Sequence, residues 1–245
     1  MTSWTNSETA TYTVFNINHI KQKGKMKRNL LSITFIIIIS MSLFAAGCGK
    51  SGKEVKVSDK QNTVNNSGKP YTVNVSDSKI KWTGKKVTGQ HYGSVKVANG
   101  EILVDNNKIT GGKVEIDMKS ITDEDQKDEE SIKKLVGHLS SPDFFDVAKF
   151  PTSKIEITKV EALNDDTKPN ANFSVTGNVT IKDVTKSITF PAEIKIENGV
   201  LTVKADFDVD RTDWNIRYGS GKFFENLGDK VINDKFNLNL TIVAK

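Results

Sequence analysis

From residue 49 onward the chain uses 28 lysines but only two arginines, and both fall in one stretch, Asp210-Arg211-Thr212-Asp213-Trp214-Asn215-Ile216-Arg217. A guanidinium is a rigid planar fork of donors, unlike the compact ammonium of lysine. That fork suits an anionic head group such as a diphosphate. It suits equally well a structural corner, where Arg211 would pair with Asp210, Asp213 or a neighbouring strand. The residues alone leave both roles open, for Arg211 and for Arg217.

Other candidate chemistry is sparse. Only His91 and His138 occur after residue 49. Two histidines without a carboxylate at a telling spacing define no metal site, so no metal is expected. His91 with a nearby carboxylate is the one acid–base candidate. No Gly-x-Ser-x-Gly nucleophile elbow occurs in the chain. Tyr218-Gly219-Ser220-Gly221-Lys222 ends like a phosphate-binding loop, but Ile216 stands where the first glycine belongs. Asp206, Asp208 and Asp210 alternate with Phe207 and Val209, which reads as the solvated side of a strand. The acidic run Asp123 to Glu130 lacks the glycine and ligand spacing of a calcium loop and reads as a solvated helix start.

The net charge of +5 belongs mostly to the beginning of the chain. Residues 1–48 carry Lys21, Lys23, Lys25, Lys27 and Arg28 against Glu8, leaving the remainder at +1. A basic nucleic-acid binder is therefore not indicated. The cations precede an uncharged run, Leu30 to Gly47, with the arrangement of an export signal. It ends in Leu43-Phe44-Ala45-Ala46-Gly47-Cys48, which resembles a bacterial lipobox, with Ala45 where leucine is usual. Cys48, the only cysteine, is the expected lipidation point, and a single cysteine excludes an internal disulfide. The alternative is an uncleaved anchor, since the run is close to the minimum span of a bilayer. The expected organisation is an upstream extension at 1–25, a lipoprotein signal at 26–47, a flexible tether at 48–69 rich in Gly, Ser, Asn and Lys, and one domain at 70–245.

Within that domain the hydrophobic period is two. Val73 and Val75, Ile102 and Val104, Val114, Ile116 and Met118, Leu201-Val203-Ala205-Phe207-Val209, and Phe236-Leu238-Leu240-Ile242 are examples. This alternation predicts antiparallel strands with one dry face. Turn chemistry at 98–100, 105–107, 164–166 and 197–199 separates them. One segment differs: Ile132, Leu135, Val136 and Leu139 lie at helical spacing, predicting a short helix near 129–140 with acids at its start and His138 near its end. The fold class is all-β, one barrel or sandwich.

Several blocks, in order, resemble the YceI-like family across residues 70–245. They are Trp82; His91-Tyr92-Gly93; Gly111-Gly112-Lys113-Val114-Glu115-Ile116-Asp117-Met118; His138-Leu139-Ser140-Ser141-Pro142-Asp143-Phe144-Phe145-Asp146-Val147; Phe150-Pro151; Gly177-Asn178-Val179-Thr180-Ile181; and Asp210-Arg211-Thr212-Asp213-Trp214. Trp214 stands where the family commonly has Phe, and Phe150 where it has Tyr. The resemblance implies a lipocalin-like, extended eight-stranded antiparallel β-barrel that holds a polyisoprenoid lipid of the quinone or polyprenyl-phosphate type. It implies no catalytic residues and no cofactor beyond a bound lipid. The expected ligand-binding residues are Trp82, His91, Phe144, Phe145, Leu201, Val203, Phe207, Arg211, Trp214 and Arg217. The expected setting is the bacterial cell envelope, with the membrane and the lipid as partners and no nucleic acid. The competing expectation is a structural or stress-response envelope protein whose barrel is packed and ligand-free, because the same inward residues serve either interior.

Overall fold

The computed structural model describes residues 53–63, 67–165 and 170–245. The expected extension at 1–25, the signal at 26–47 and the lipidation point Cys48 lie outside the described residues.

Eleven strands are present among the described residues: β1 (Lys53–Glu54), β2 (Lys56–Asp59), β3 (Lys69–Thr72), β4 (Lys79–Lys86), β5 (Gly89–Asp105), β6 (Lys108–Asp117), β7 (Thr152–Ala162), β8 (Phe173–Ile181), β9 (Val184–Glu197), β10 (Val200–Asp210) and β11 (Ile232–Ala244). Strands β4 to β11 each pair antiparallel with the next, and β11 pairs back onto β4, closing an eight-stranded barrel. Closure removes the exposed strand edges that would otherwise recruit other chains. The expected alternation holds in detail on β10, where Leu201, Val203, Ala205, Phe207 and Val209 are all buried.

Two hairpins follow the expected turn chemistry. Asn106 and Asn107 join β5 to β6 at φ 48° and 62°, and Asn198 and Gly199 join β9 to β10 at φ 51° and 76°. Both are the paired left-handed residues that a two-residue hairpin requires. The expected turn at 98–100 is different. These residues lie inside the 17-residue β5, where the register shifts between Val97 and Asn99. The asparagine and glycine there form a bulge rather than a turn. Gly100 is needed for close approach, since a Cβ would lie 2.8 Å from Val73 Cγ2 and 3.0 Å from the Lys113 carbonyl oxygen.

Part of the expected tether is also structured. Strands β9 and β10 pair only from Ala192 and Ala205 to their shared hairpin, so the seam between them parts toward the other end of the barrel. Into that seam run β1, parallel to β10 at Phe207 and Asp208, and β2, antiparallel to β9 at Lys186 to Thr189. Val55 is buried and Val57 half-buried against the core. The alternating pair Val55 and Val57 is short and flanked by polar residues, so composition alone hides it. The buried Asn178 side chain then holds the Gln61 backbone through two hydrogen bonds, 2.9 and 2.8 Å. This strap also changes the reading of the β10 carboxylates. Asp206 is exposed, but Asp208 is buried, because the strap lies alongside β10 and its Val55 amide donates to the Asp208 carbonyl.

The helix α1 (Glu129–Ser140) falls where its spacing predicts. Asp128 caps it by accepting from the Ser131 amide, Glu129 and Glu130 occupy its first turn, and His138 its last. All three placements complement the helix dipole. None of its residues is fully buried, so it lies at the barrel end rather than inside it.

Candidate functional site

The barrel is hollow. A cavity of about 410 Å³ occupies its interior and takes wall from every one of the eight strands. Which interior the alternating pattern builds was open from sequence, and the structure shows open space rather than a filled core. At the end formed by the β9–β10 hairpin, a second space of about 110 Å³ shares Ile109, Val160 and Ile194 with the main cavity. At the opposite end the wall includes the exposed Lys86 and Asn233 and the half-exposed Lys85, His91 and His138, so the cavity reaches the surface there.

Eight of the ten expected ligand residues line this cavity: Trp82, His91, Phe144, Phe145, Val203, Phe207, Arg211 and Trp214. Leu201 and Arg217 do not. Leu201 is fully buried at the hairpin end, opposite Ala244 and Ile196, outside the wall of the main cavity. Arg217 comes just after Ile216, which is still buried in the cavity wall, and its guanidinium lies exposed over Phe223, 4.5 Å from the ring centroid.

Arg211 is 4% exposed and almost fully engaged. Its Nε donates to the Asn233 carbonyl at 3.1 Å, Nη1 to the Ile216 carbonyl at 2.8 Å, and Nη2 to the Ile232 carbonyl at 3.1 Å and to Asp234 at 3.4 Å. Four of the five donors of a guanidinium are thus spent on the chain itself. This is the corner-pinning role, carried by β11 rather than by Asp210 or Asp213. Burial draws the Arg211 guanidinium below its ordinary pKa, opposed by the charges of Asp234 and Asp210. Asp210 instead meets Lys222 Nζ at 2.5 Å and the Thr212 amide at 2.9 Å. Burial alone would raise its carboxyl, but the Lys222 and Thr212 hydrogen bonds together hold it below the usual value. Trp214 completes the corner, fully buried, with Nε1 donating to the Val179 carbonyl at 3.1 Å.

Across the mouth the polar groups are less committed. Trp82 Nε1 is buried with no hydrogen-bond acceptor in reach, and such a group costs about 1–3 kcal/mol if it stays unpaired. The indole lies against Gly93, where a Cβ would sit 2.9 Å from its ring and collide with the Thr122 carbonyl. The glycine of the His91-Tyr92-Gly93 block therefore makes room for the tryptophan. His91 Nδ1 lies 3.0 Å from Asp125 Oδ2, supplying the nearby carboxylate that sequence could not locate. Asp123 joins them, and one ligand atom from each lies within 4.8 Å of the others. Asp123 already accepts from the Asp125 and Gln126 amides and from the Gln126 side chain. Burial would raise its carboxyl, and those donors hold it low. The trio is thus internally hydrogen-bonded.

His138, expected near the end of the helix, belongs to the cavity rim. Its ring meets Phe144 edge-on at 4.8 Å and Tyr218 at 4.7 Å, so helix and β10–β11 loop close one side of the mouth through aromatic contacts. Tyr218 carried no usable signal, because it sits in a loop without periodicity.

The YceI-like domain family matches residues 71–244 of this chain. A UPF0312 protein of Azotobacter vinelandii is 31% identical over 101 residues, which is 41% of this chain and 47% of that protein. A UPF0312 protein of Shewanella denitrificans is 31% identical over 133 residues, 50% and 64% of the two chains. The chain spans about half the length of the curated relatives it matches. Among solved structures, Burkholderia cenocepacia BcnA superposes with a TM-score of 0.56 at 19% identity, over 71% of this chain and 99% of that one. A polyisoprenoid binding domain from Saccharophagus degradans superposes with a TM-score of 0.52 at 12% identity, over 71% and 97%. These likenesses establish the fold.

Proposed function

This chain belongs to the YceI-like family, and from that premise we propose that it is a non-enzymatic carrier or sequestering protein for a polyisoprenoid lipid of the bacterial cell envelope. The observation that carries the reading is the hollow apolar barrel, about 410 Å³, open at one end. A slender apolar chain fits an eight-stranded interior. At about 0.8 kcal/mol per buried methylene, roughly ten buried carbons gain on the order of 8 kcal/mol, enough to offset much of the cost of immobilising a ligand. No catalytic group is needed for that. The similarity to a polyisoprenoid binding domain supports the same ligand class.

The tail runs along the aliphatic wall and the head group stays at the mouth, where Trp82, His91, Lys85 and Lys86 offer donors. The ligand is of the quinone or polyprenyl-phosphate kind. The leader pattern and Cys48 support export and a lipid anchor on the envelope membrane. Two or more acyl chains at such a cysteine hold stably where one does not.

Mass spectrometry of lipid extracted from protein purified out of its native membrane tests the reading. Stoichiometric polyprenyl species are expected. Native preparations without bound lipid, which also fail to take up added quinone, would overturn it.

A further inference from the structure

The exposed apolar side chains are not spread evenly over the surface. Among the described residues seven large hydrophobics are exposed, and five of them, Val87, Tyr92, Tyr218, Phe223 and Phe224, surround the open end of the barrel. Val75 and Val200 lie at the other end. Phe223 and Phe224 are 45% and 50% exposed although the loop that carries them is well tied. Its hub is Ser220, fully buried, whose carbonyl accepts from both phenylalanine amides at 3.1 Å and whose hydroxyl accepts from the Lys222 amide at 3.2 Å. The aromatics are thus held half outward by a built loop rather than buried.

Charge divides the same rim into two sides. The β4–β5 tip (84–90) and the β10–β11 loop (215–231) carry Lys85, Lys86, Arg217, Lys222 and Lys230 against Glu225 and Asp229. Lys222 is committed to Asp210 and Asp234, but the other four cations keep this side positive. The Val87 amide donates to the Val231 carbonyl at 3.4 Å, joining tip and loop into one face. Beside the β4–β5 tip, where the Tyr92 amide donates to Asp125 at 2.8 Å, the rim turns acidic: residues 123–130 carry Asp123, Glu124, Asp125, Asp128, Glu129 and Glu130 against Lys127. An anionic surface attracts the first side and repels the second.

We propose that the basic, aromatic side of the mouth docks on the headgroup region of an anionic lipid bilayer, with the barrel tilted so that the acidic side stays in water. Aromatic rings and lysines are the side chains that settle at that depth. Docking there sets the cavity mouth against the phase from which an apolar cargo must come, so the purpose of the surface rests on the proposed lipid-carrier function, while docking itself is measured apart from it.

The test uses the full chain reconstituted on vesicles of phosphatidylcholine and phosphatidylglycerol doped with brominated lipids. The variant F223W adds an indole at the docking face, V200W adds one at the far end, and E129W adds one on the acidic side. The fluorescence of each is read as its excess over the unsubstituted chain. The F223W excess should shift to the blue and be quenched by bromines at about 5–10 Å depth, an effect lost in phosphatidylcholine alone or with K86E/K230E. The V200W and E129W signals should stay unquenched. An F223W signal that is unquenched, or quenched no more than V200W, overturns the proposal. So does a blue shift that follows protein concentration without vesicles, which would make the face a contact between copies. Quinone uptake by the same preparations is scored separately: docking without uptake sinks the carrier reading alone, and uptake without docking sinks only this one.

Discussion

Trp82 and Trp214 face one cavity under opposite conditions. Trp214 is fully buried and its N–H is spent on the Val179 carbonyl; the Trp82 N–H is buried and unspent. Their neighbours differ in the same way. Beside Trp214, Arg211 gives three donors to the Asn233, Ile216 and Ile232 carbonyls. Beside Trp82, His91 has one near partner, Asp125, and stands half-exposed at the rim. The β10 corner therefore uses its polar atoms to hold the barrel together, whereas on the β4–β5 side the Trp82 N–H is left without an acceptor. The signature that looked most chemical in the sequence is the structural one.

The sharpest way to break this comparison is at Arg211. R211A leaves the buried Ile216 carbonyl, the part-buried Asn233 and Ile232 carbonyls and Asp234 without this donor, and should lower unfolding stability by about 3 kcal/mol or more in urea titrations. R211K should recover only part, because an ammonium cannot span the same fork. A loss below about 1 kcal/mol would show that the corner is not pinned there. The paired substitutions W214F and W82F come next. Both remove the same atoms, but only W214F also breaks a hydrogen bond and empties a fully buried site, so W214F should cost about 1–2 kcal/mol more than W82F. If W82F proves the costlier, the two sides of the mouth have been misassigned.

A smaller effect concerns acid. The Asp210 carboxyl is held low in the folded state, so its contribution is present above the unfolded value near 3.9 and is lost as pH falls through the folded value. With partial exposure the amount should stay below about 1 kcal/mol. D210N should flatten that part of the stability–pH curve, measured by thermal unfolding from neutral pH downward. An unchanged slope would remove Asp210 from the fastening of the corner. The smallest effect is expected at the second arginine. R217A touches an exposed side chain and should change stability by less than about 0.5 kcal/mol, in contrast with R211A. Equal losses from the two would erase the distinction drawn between them.

Much of the fold was legible because it is local. The alternation on β10 and β11, the Asn-rich hairpin at 105–107 and the helix at 129–140 each follow from neighbours within a few residues. What was illegible depended on partners distant in sequence. Val55 and Val57 look like two polar-flanked valines until β9 and β10 part and leave a seam for them. Asn99 and Gly100 carry turn chemistry, but β6 continues past them along β5 and converts the turn into a bulge. Asp208 reads as a solvated carboxylate, and the strap beside it changes its burial. His91 could not be matched with Asp125, since 34 residues separate them.

By itself, then, the sequence determined that the domain is antiparallel β with one short helix, and through its ordered blocks which family it belongs to. It also placed most of the side chains that face inward, because a period of two assigns each residue to one face of a strand. Whether those side chains meet across the axis or leave a channel was decided by closure: the stagger and spacing of eight strands set the radius of the interior, and no local pattern encodes a radius. The same closure brought Arg211 under the Asn233 and Ile232 carbonyls and left the Trp82 N–H buried without an acceptor, so the division between the two sides of the mouth belongs to the tertiary structure alone.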